Sequence, residues 1–197
     1  MYLVLIFLLV ASISSGQAAS SLVMKYNDSA TYITNKNKDY NKGLFYIDKA
    51  IELDSNYEPS YEKKTRFLMV LKKYDEAIET LNKQLSLFEN NQGYLFMLGL
   101  LLENKGDTLA AFMKYREADA KYKAKLDSTA VTNWNYEFIL VNRAMNLLFL
   151  REDSLAKKIC VDYYENYKKN ISPDWLARIL RLDREYYYCI FLGKEKQ

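Results

Sequence analysis

Small residues recur in this chain at one fixed interval. Gly43, Ala77 and Ala111 stand 34 residues apart, and each is followed four residues later by a bulky apolar side chain, Ile47, Leu81 or Tyr115. Three positions further on come Ala50, Gln84 and Ala118. Spacings of four and three put a small, large, small row along a single face of a helix, and compact side chains there let a neighbouring helix come close. The preceding segments step by the same interval, since Tyr61, Thr65 and Leu68 answer to Leu95, Gly99 and Leu102. Glycine inside a helix costs about 1 kcal/mol relative to alanine, so Gly99 suggests a site where a second helix crosses too tightly for a side chain. A period of this length admits few architectures, because each unit buries its apolar face only against its neighbours.

Composition agrees with helices. Half of the 197 residues are hydrophobic, and Pro and Gly number only 2 and 6, so strong breakers are scarce. The length suits one all-α domain with a sizeable core. Lys and Arg exceed Asp and Glu by only three charges, too small a balance for an electrostatic footprint on nucleic acid or anionic lipid. The most basic stretch, Lys114 to Lys125, contains Glu117 and Asp119 and reads as a solvated helix face.

On these residues the chain resembles the tetratricopeptide repeat family, whose unit is a 34-residue helix, turn and helix. The match is fullest in YLFMLGLLLENKGDTLAAFMKYREA: Leu95 takes the place of the family's first aromatic, Leu98 and Gly99 its Leu-Gly pair, and Leu102 its next large residue. Gly106 and Asp107 fall in the turn, and Ala111, Tyr115 and Ala118 take the second-helix places. In the unit before it Tyr61, Thr65, Leu68, Ala77 and Leu81 agree, whereas Lys64, Gln84 and Glu89 depart from the pattern. The earliest unit is carried by DYNKGLFYIDKAIELDSN, because the residues ahead of it are rich in Asn, Thr and Ser, poor helix formers. The resemblance implies an α-solenoid of three to four helical hairpins, with the best repeats over 24–122.

Beyond Tyr122 the pattern predicts that the second helix runs on through Leu126, and a degenerate unit is expected over 134–170. DTLA at Asp107 to Ala110 is echoed there by DSLA at Asp153 to Ala156, a step of 46, and Phe138, Val141, Met145 and Leu148 form a candidate buried stripe. A capping helix is expected over 173–192, with Ser172 as its N-cap, Pro173 in the first turn, and a stripe of Trp175, Ile179, Leu182, Tyr186 and Cys189.

The first twenty residues pass from an apolar run, Tyr2 to Val10, into small polar residues. That run is about half the length needed to span a bilayer, so residues 1–18 read as a removable export signal cleaved after Ala18 or Gly16, with 19–197 as the mature helical domain and no stable membrane span in it. No Lys or Arg precedes the run, a departure from the usual signal; the contrary reading is a helix start packed on the first repeat and a cytoplasmic chain. Cys160 and Cys189 lie on apolar stripes. Placed in an antiparallel hairpin, they would be offset by about 10 Å along the axes, against a limit of roughly 7 Å between bridged Cα atoms.

Nothing in the sequence points to catalysis. There is no histidine, no Gly-rich phosphate loop and no Cys or His companion for a metal site, so no catalytic residue, metal or cofactor is expected. The resemblance implies instead a protein or peptide partner held on a concave wall formed by the first helix of each hairpin. By the family's pattern that wall carries Tyr32 and Asn35, then Glu62, Arg66 and Met69, then Phe96, Leu100 and Glu103. Phe96 and Leu100 allow two readings: an exposed apolar interaction site, or side chains covered by the long helix after Tyr115 or by the C-terminal helices. The Lys and Asn set with which some members clamp a terminal carboxylate is not reproduced at Glu62 and Phe96. An alternative function is a structural subunit that self-assembles through the same wall as a homo-oligomer or in a cell-envelope complex. A third is a small enzyme relying on Ser, Lys or carboxylates.

Overall fold

The computed structural model describes residues 2–88, 91–167, 183–185 and 191–192, and of residues 2–19 the backbone alone. Packing divides the chain after Leu87 into two compact units. The first holds α1 (Tyr2–Asn37), α2 (Tyr40–Leu53), α3 (Glu58–Val70) and α4 (Tyr74–Leu87); the second holds α5 (Gln92–Asn104), α6 (Thr108–Asp127), α7 (Trp134–Phe149) and α8 (Asp153–Tyr167). Within each unit every helix packs on the next, and no strand occurs among the described residues. The fold is all-α, a succession of helical hairpins.

The hairpin turns follow the sequence period. Lys38, Lys72 and Gly106 all adopt a left-handed backbone, with φ of 55°, 58° and 91°, and Arg151 does so at 62°. In three of these turns the closing hydrogen bonds are the same. The Gly106 N–H donates to the Glu103 carbonyl at 2.9 Å and the Asp107 N–H to Leu102 at 3.0 Å; Lys72 and Lys73 repeat this on Met69 and Leu68, and Arg151 and Glu152 on Leu148 and Leu147. Such a pair satisfies carbonyls that the end of a helix leaves open. The second helix then starts at once. Asp39 and Asp107 cap it by accepting from the Lys42 and Ala110 N–H groups at 2.9 and 3.0 Å.

These turns fix the register of the fourth hairpin. Ala156 donates its N–H to Glu152 as Ala111 does to Asp107, Ala77 to Lys73 and Gly43 to Asp39. Arg151 and Glu152 therefore answer to Gly106 and Asp107 at a step of 45, and the DTLA and DSLA echo is one residue out of structural register.

The small, large, small rows lie inside. Gly43, Ile47 and Ala50 on α2, Ala77, Leu81 and Gln84 on α4, and Ala111, Tyr115 and Ala118 on α6 are all buried. Gln84, where the pattern asks for a small residue, accepts a 2.8 Å hydrogen bond from Thr65, which stands where Gly99 stands one unit later. On α8 the corresponding residues, Ala156, Cys160 and Tyr163, are buried as well.

Two expectations change. α1 is helical through its Asn, Thr and Ser residues, because packing on α2 buries its inner face at Val23, Asn27, Ala30 and Thr34; Thr31 and Thr34 donate to the carbonyls of Asn27 and Ala30 at 2.9 Å, and Asn27 to Val23 at 3.0 Å, which satisfies those polar groups in place. On α7 the stripe through Phe138 is not the buried one. Phe138 is 68% exposed and Ile139, Leu140, Ala144 and Leu147 are inside with Met145 and Leu148. That helix is apolar on most sides, so periodicity alone does not select its inner face. Of the expected capping helix, Ser172, Pro173, Asp174, Trp175, Ile179, Leu182, Tyr186 and Cys189 lie outside the described residues.

Candidate partner-binding wall

In the first unit the wall is made by α1 and α3. Side chains tie these helices together: Asn27 Nδ2 donates to Ser60 Oγ at 2.8 Å, and Lys63 Nζ reaches the Asn27 carbonyl at 3.4 Å. Tyr32, 60% exposed, and Asn35 stand open on α1; Glu62 and Arg66 stand open on α3. Lys36 Nζ donates to the Tyr32 hydroxyl at 2.9 Å and lies 5.3 Å from the ring centroid, which props that ring above the helix. Met69 does not belong to the open surface. It is 4% exposed, turned into the core beside Leu68.

Electrostatics brings further residues to this wall. Burial pushes the Lys63 amine below its usual range; Asp28 and Glu62 oppose that shift, and Arg66 adds to it. Asp28, Glu62, Lys63 and Arg66 thus form one field of mixed charge beside Tyr32. Asp28, Lys36 and Lys63 were not singled out from the sequence. The available signal was their spacing, since Asp28 and Lys36 flank Tyr32 at four residues on one helix face. Such a surface suits hydrogen-bonding and ionic capture with one aromatic platform.

In the second unit the corresponding positions on α5 are filled. Phe96 and Leu100 are 2% and 0% exposed, so neither offers a free apolar surface to another molecule. The Phe96 ring packs 5.8 Å from Tyr115 of α6, 5.2 Å from Phe149 of α7 and 5.9 Å from Phe191. Of the two readings left by the sequence, intramolecular cover is the one observed. Glu103 is also engaged, accepting from the Tyr115 hydroxyl at 2.9 Å and pairing with Arg184, whose guanidinium lies 5.2 Å from the Phe149 ring centroid. An assembly that needs Phe96 and Leu100 on the surface has no such surface here.

Close packing at Gly43 and Gly99 comes from side chains. A Cβ on Gly99 would sit 2.4 Å from Cε1 of the buried Tyr115 ring, so a ring fills the space where a crossing helix was expected. A Cβ on Gly43 would meet Thr34 at 2.6 Å and Phe67 at 3.0 Å.

Chemistry elsewhere is sparse. Cys160 is buried, and burial pushes its thiol up to about 11; Cys189 lies outside the described residues. Among the described residues no cluster of His, Cys, Asp and Glu could hold a metal ion, and no helix is long and apolar enough to cross a membrane.

No family profile matches the chain. Over 83 residues, 42% of its length, it is 33% identical to the TPR repeat-containing protein MJ1428 of Methanocaldococcus jannaschii, and that match spans 14% of the relative. Among solved structures, YrrB, described as a TPR protein with an unusual peptide-binding site, aligns over 86% of this chain and 91% of its own at 18% identity and a TM-score of 0.45.

Proposed function

We propose that this chain, which resembles tetratricopeptide-repeat proteins, works without catalysis: it holds a protein or peptide partner on the wall formed by α1 and α3. One observation carries this reading. The same family positions that are covered in the second unit stand open in the first, at Tyr32, Asn35, Glu62 and Arg66. Charges of both signs favour an extended peptide with polar side chains, gripped through hydrogen bonds and anchored on the Tyr32 ring.

The partner is met outside the cytoplasm. The apolar run Tyr2 to Val10, with Gly16 and Ala18 after it, supports export, and a mature N-terminus near Gln17 or Ala19 in protein recovered from the producing cell would agree with this. A mature protein still beginning at Met1 would oppose it.

The binding test is a peptide-library selection on the purified full chain. Selected peptides should lose at least about tenfold in affinity on Arg66→Ala or Tyr32→Ala, roughly 1.4 kcal/mol, and keep it on Leu109→Ala, a change on an exposed face of α6. Equal loss on all three, or none, would remove the wall from the mechanism.

A further inference from the structure

α6 carries two apolar faces, and only one of them is covered. Ala111, Tyr115, Ala118, Tyr122 and Leu126 form the inner face and are buried. On the outer face Leu109 and Met113, one helical turn apart, are 73% and 63% exposed, and Phe112 beside them is exposed too. A helix that is apolar on two sides is ordinarily buried on both. At the places of Leu109 and Met113, α4 carries Asp75 and Glu79, and by the register of the hairpin turns α8 carries Ser154 and Lys158. α2 has Asn41 there, with a single apolar residue, Phe45. The outer pair therefore belongs to α6 and not to the repeat.

The same face continues with residues that complement this pair. Arg116, Ala120 and Ala124 follow Met113 at spacings of three and four, and all three are exposed. Bulky side chains thus occupy one end of the face and small ones the other, with a charge between them. The Arg116 guanidinium lies 5.2 Å from the Phe112 ring centroid, which holds it along the stripe. Its neighbour Glu117 pairs with Lys114 at 3.0 Å and keeps 46% exposure. An exposed pair of that kind is worth little, and the carboxylate can accept from a second donor.

We propose that the outer face of α6 docks a second copy of this chain, with the two α6 helices antiparallel about a twofold axis that passes between residues 116 and 117. That axis sets Met113 against the partner's Ala120 and Leu109 against the partner's Ala124, large on small, so that the two faces interdigitate. It also brings Arg116 beside the partner's Glu117, and symmetry repeats the pair. A parallel arrangement would instead stack each residue on its own copy, with bulk on bulk and Arg116 on Arg116. Phe96 and Leu100 are buried and offer no surface for association of copies; this face of α6 is a different one.

The test is sedimentation equilibrium on the purified full chain, with every variant at one concentration. Wild type should associate to twice the mass of one chain. Met113→Glu, which installs the residue that α4 carries at the matching place, should weaken association at least about tenfold. Arg116→Glu and Glu117→Arg each set like charges across the axis and should weaken it as well, whereas the two changes together should restore the wild-type mass. All of these positions are exposed, so circular dichroism should show unchanged helix content. A wild-type chain that stays monomeric overturns the proposal, as does a dimer indifferent to Met113→Glu. A double exchange that keeps its helices but associates as weakly as the single ones also overturns it, because the antiparallel pairing is then absent. A monomeric chain that still holds peptides through Tyr32 and Arg66 would leave the reading of the α1 and α3 wall standing and remove only the paired copy.

Discussion

Among the described residues four take a left-handed backbone at the hairpin turns, and glycine stands at one of them. At Gly106 a Cβ would meet no heavy atom within 4 Å, so replacement there is a question of backbone conformation alone. Gly106→Ala should cost about 1 kcal/mol in denaturant unfolding, and no loss would mean that the turn relaxes freely. Gly99 is the opposite case. Its missing side chain is replaced by the Tyr115 ring, buried and hydrogen-bonded to Glu103, so Gly99→Ala should destabilise by about 1–3 kcal/mol. Tyr115→Leu, which restores the residue found at Leu81, should make the alanine cheaper; purely additive costs would break the link. Cys160 offers a pH reading. Burial raises its thiol from 9.0 to about 11, so its contribution is intact below pH 9 and is lost as pH climbs towards 11. Stability should therefore fall more steeply between pH 9 and 11 in wild type than in Cys160→Ala, and equal slopes would contradict it.

Helices in this chain are set by their ends as much as by their faces. Asp39 and Asp107 cap α2 and α6, while α4 has Lys73 at the same place, paired with Glu76 at 3.2 Å on an exposed surface. Such a surface pair is worth little, so Lys73→Asp should supply the absent cap and raise stability by roughly 0.5–1 kcal/mol; a loss in thermal unfolding would show that the ion pair outweighs the cap. Caps and the 34-residue rows were legible because they depend on neighbours within a turn or two of helix. The register of α8 was legible only to within one residue, because DSLA imitates DTLA while the backbone aligns Glu152 with Asp107. α1 was underestimated because helix propensity omits the tertiary packing that buries Val23, Asn27, Ala30 and Thr34.

At the scale of the molecule the two units use one pattern in two ways. Family pattern places Met69, Phe96 and Leu100 on the wall, and no local rule reveals that each is buried, since the covering groups of Phe96 come from Phe149 and Phe191, far along the sequence. Tyr32, Asn35, Glu62 and Arg66 could be placed from sequence because nothing distant was needed to leave them exposed. The contrast has a measurable form. Phe96→Ala should cost about 3–5 kcal/mol in stability and Arg66→Ala less than about 0.5, and comparable costs would mean that the division between interior and wall is misplaced.

The cover over Phe96 also sets an order of events in biosynthesis. Phe191 is joined to the chain long after Phe96, and until then α5 presents aromatic and aliphatic side chains with only part of their eventual company. The nascent protein is thus most exposed to misassociation late in translation, and sequence changes near Phe191 would be felt first as poor yield from the ribosome, ahead of any defect in the finished molecule.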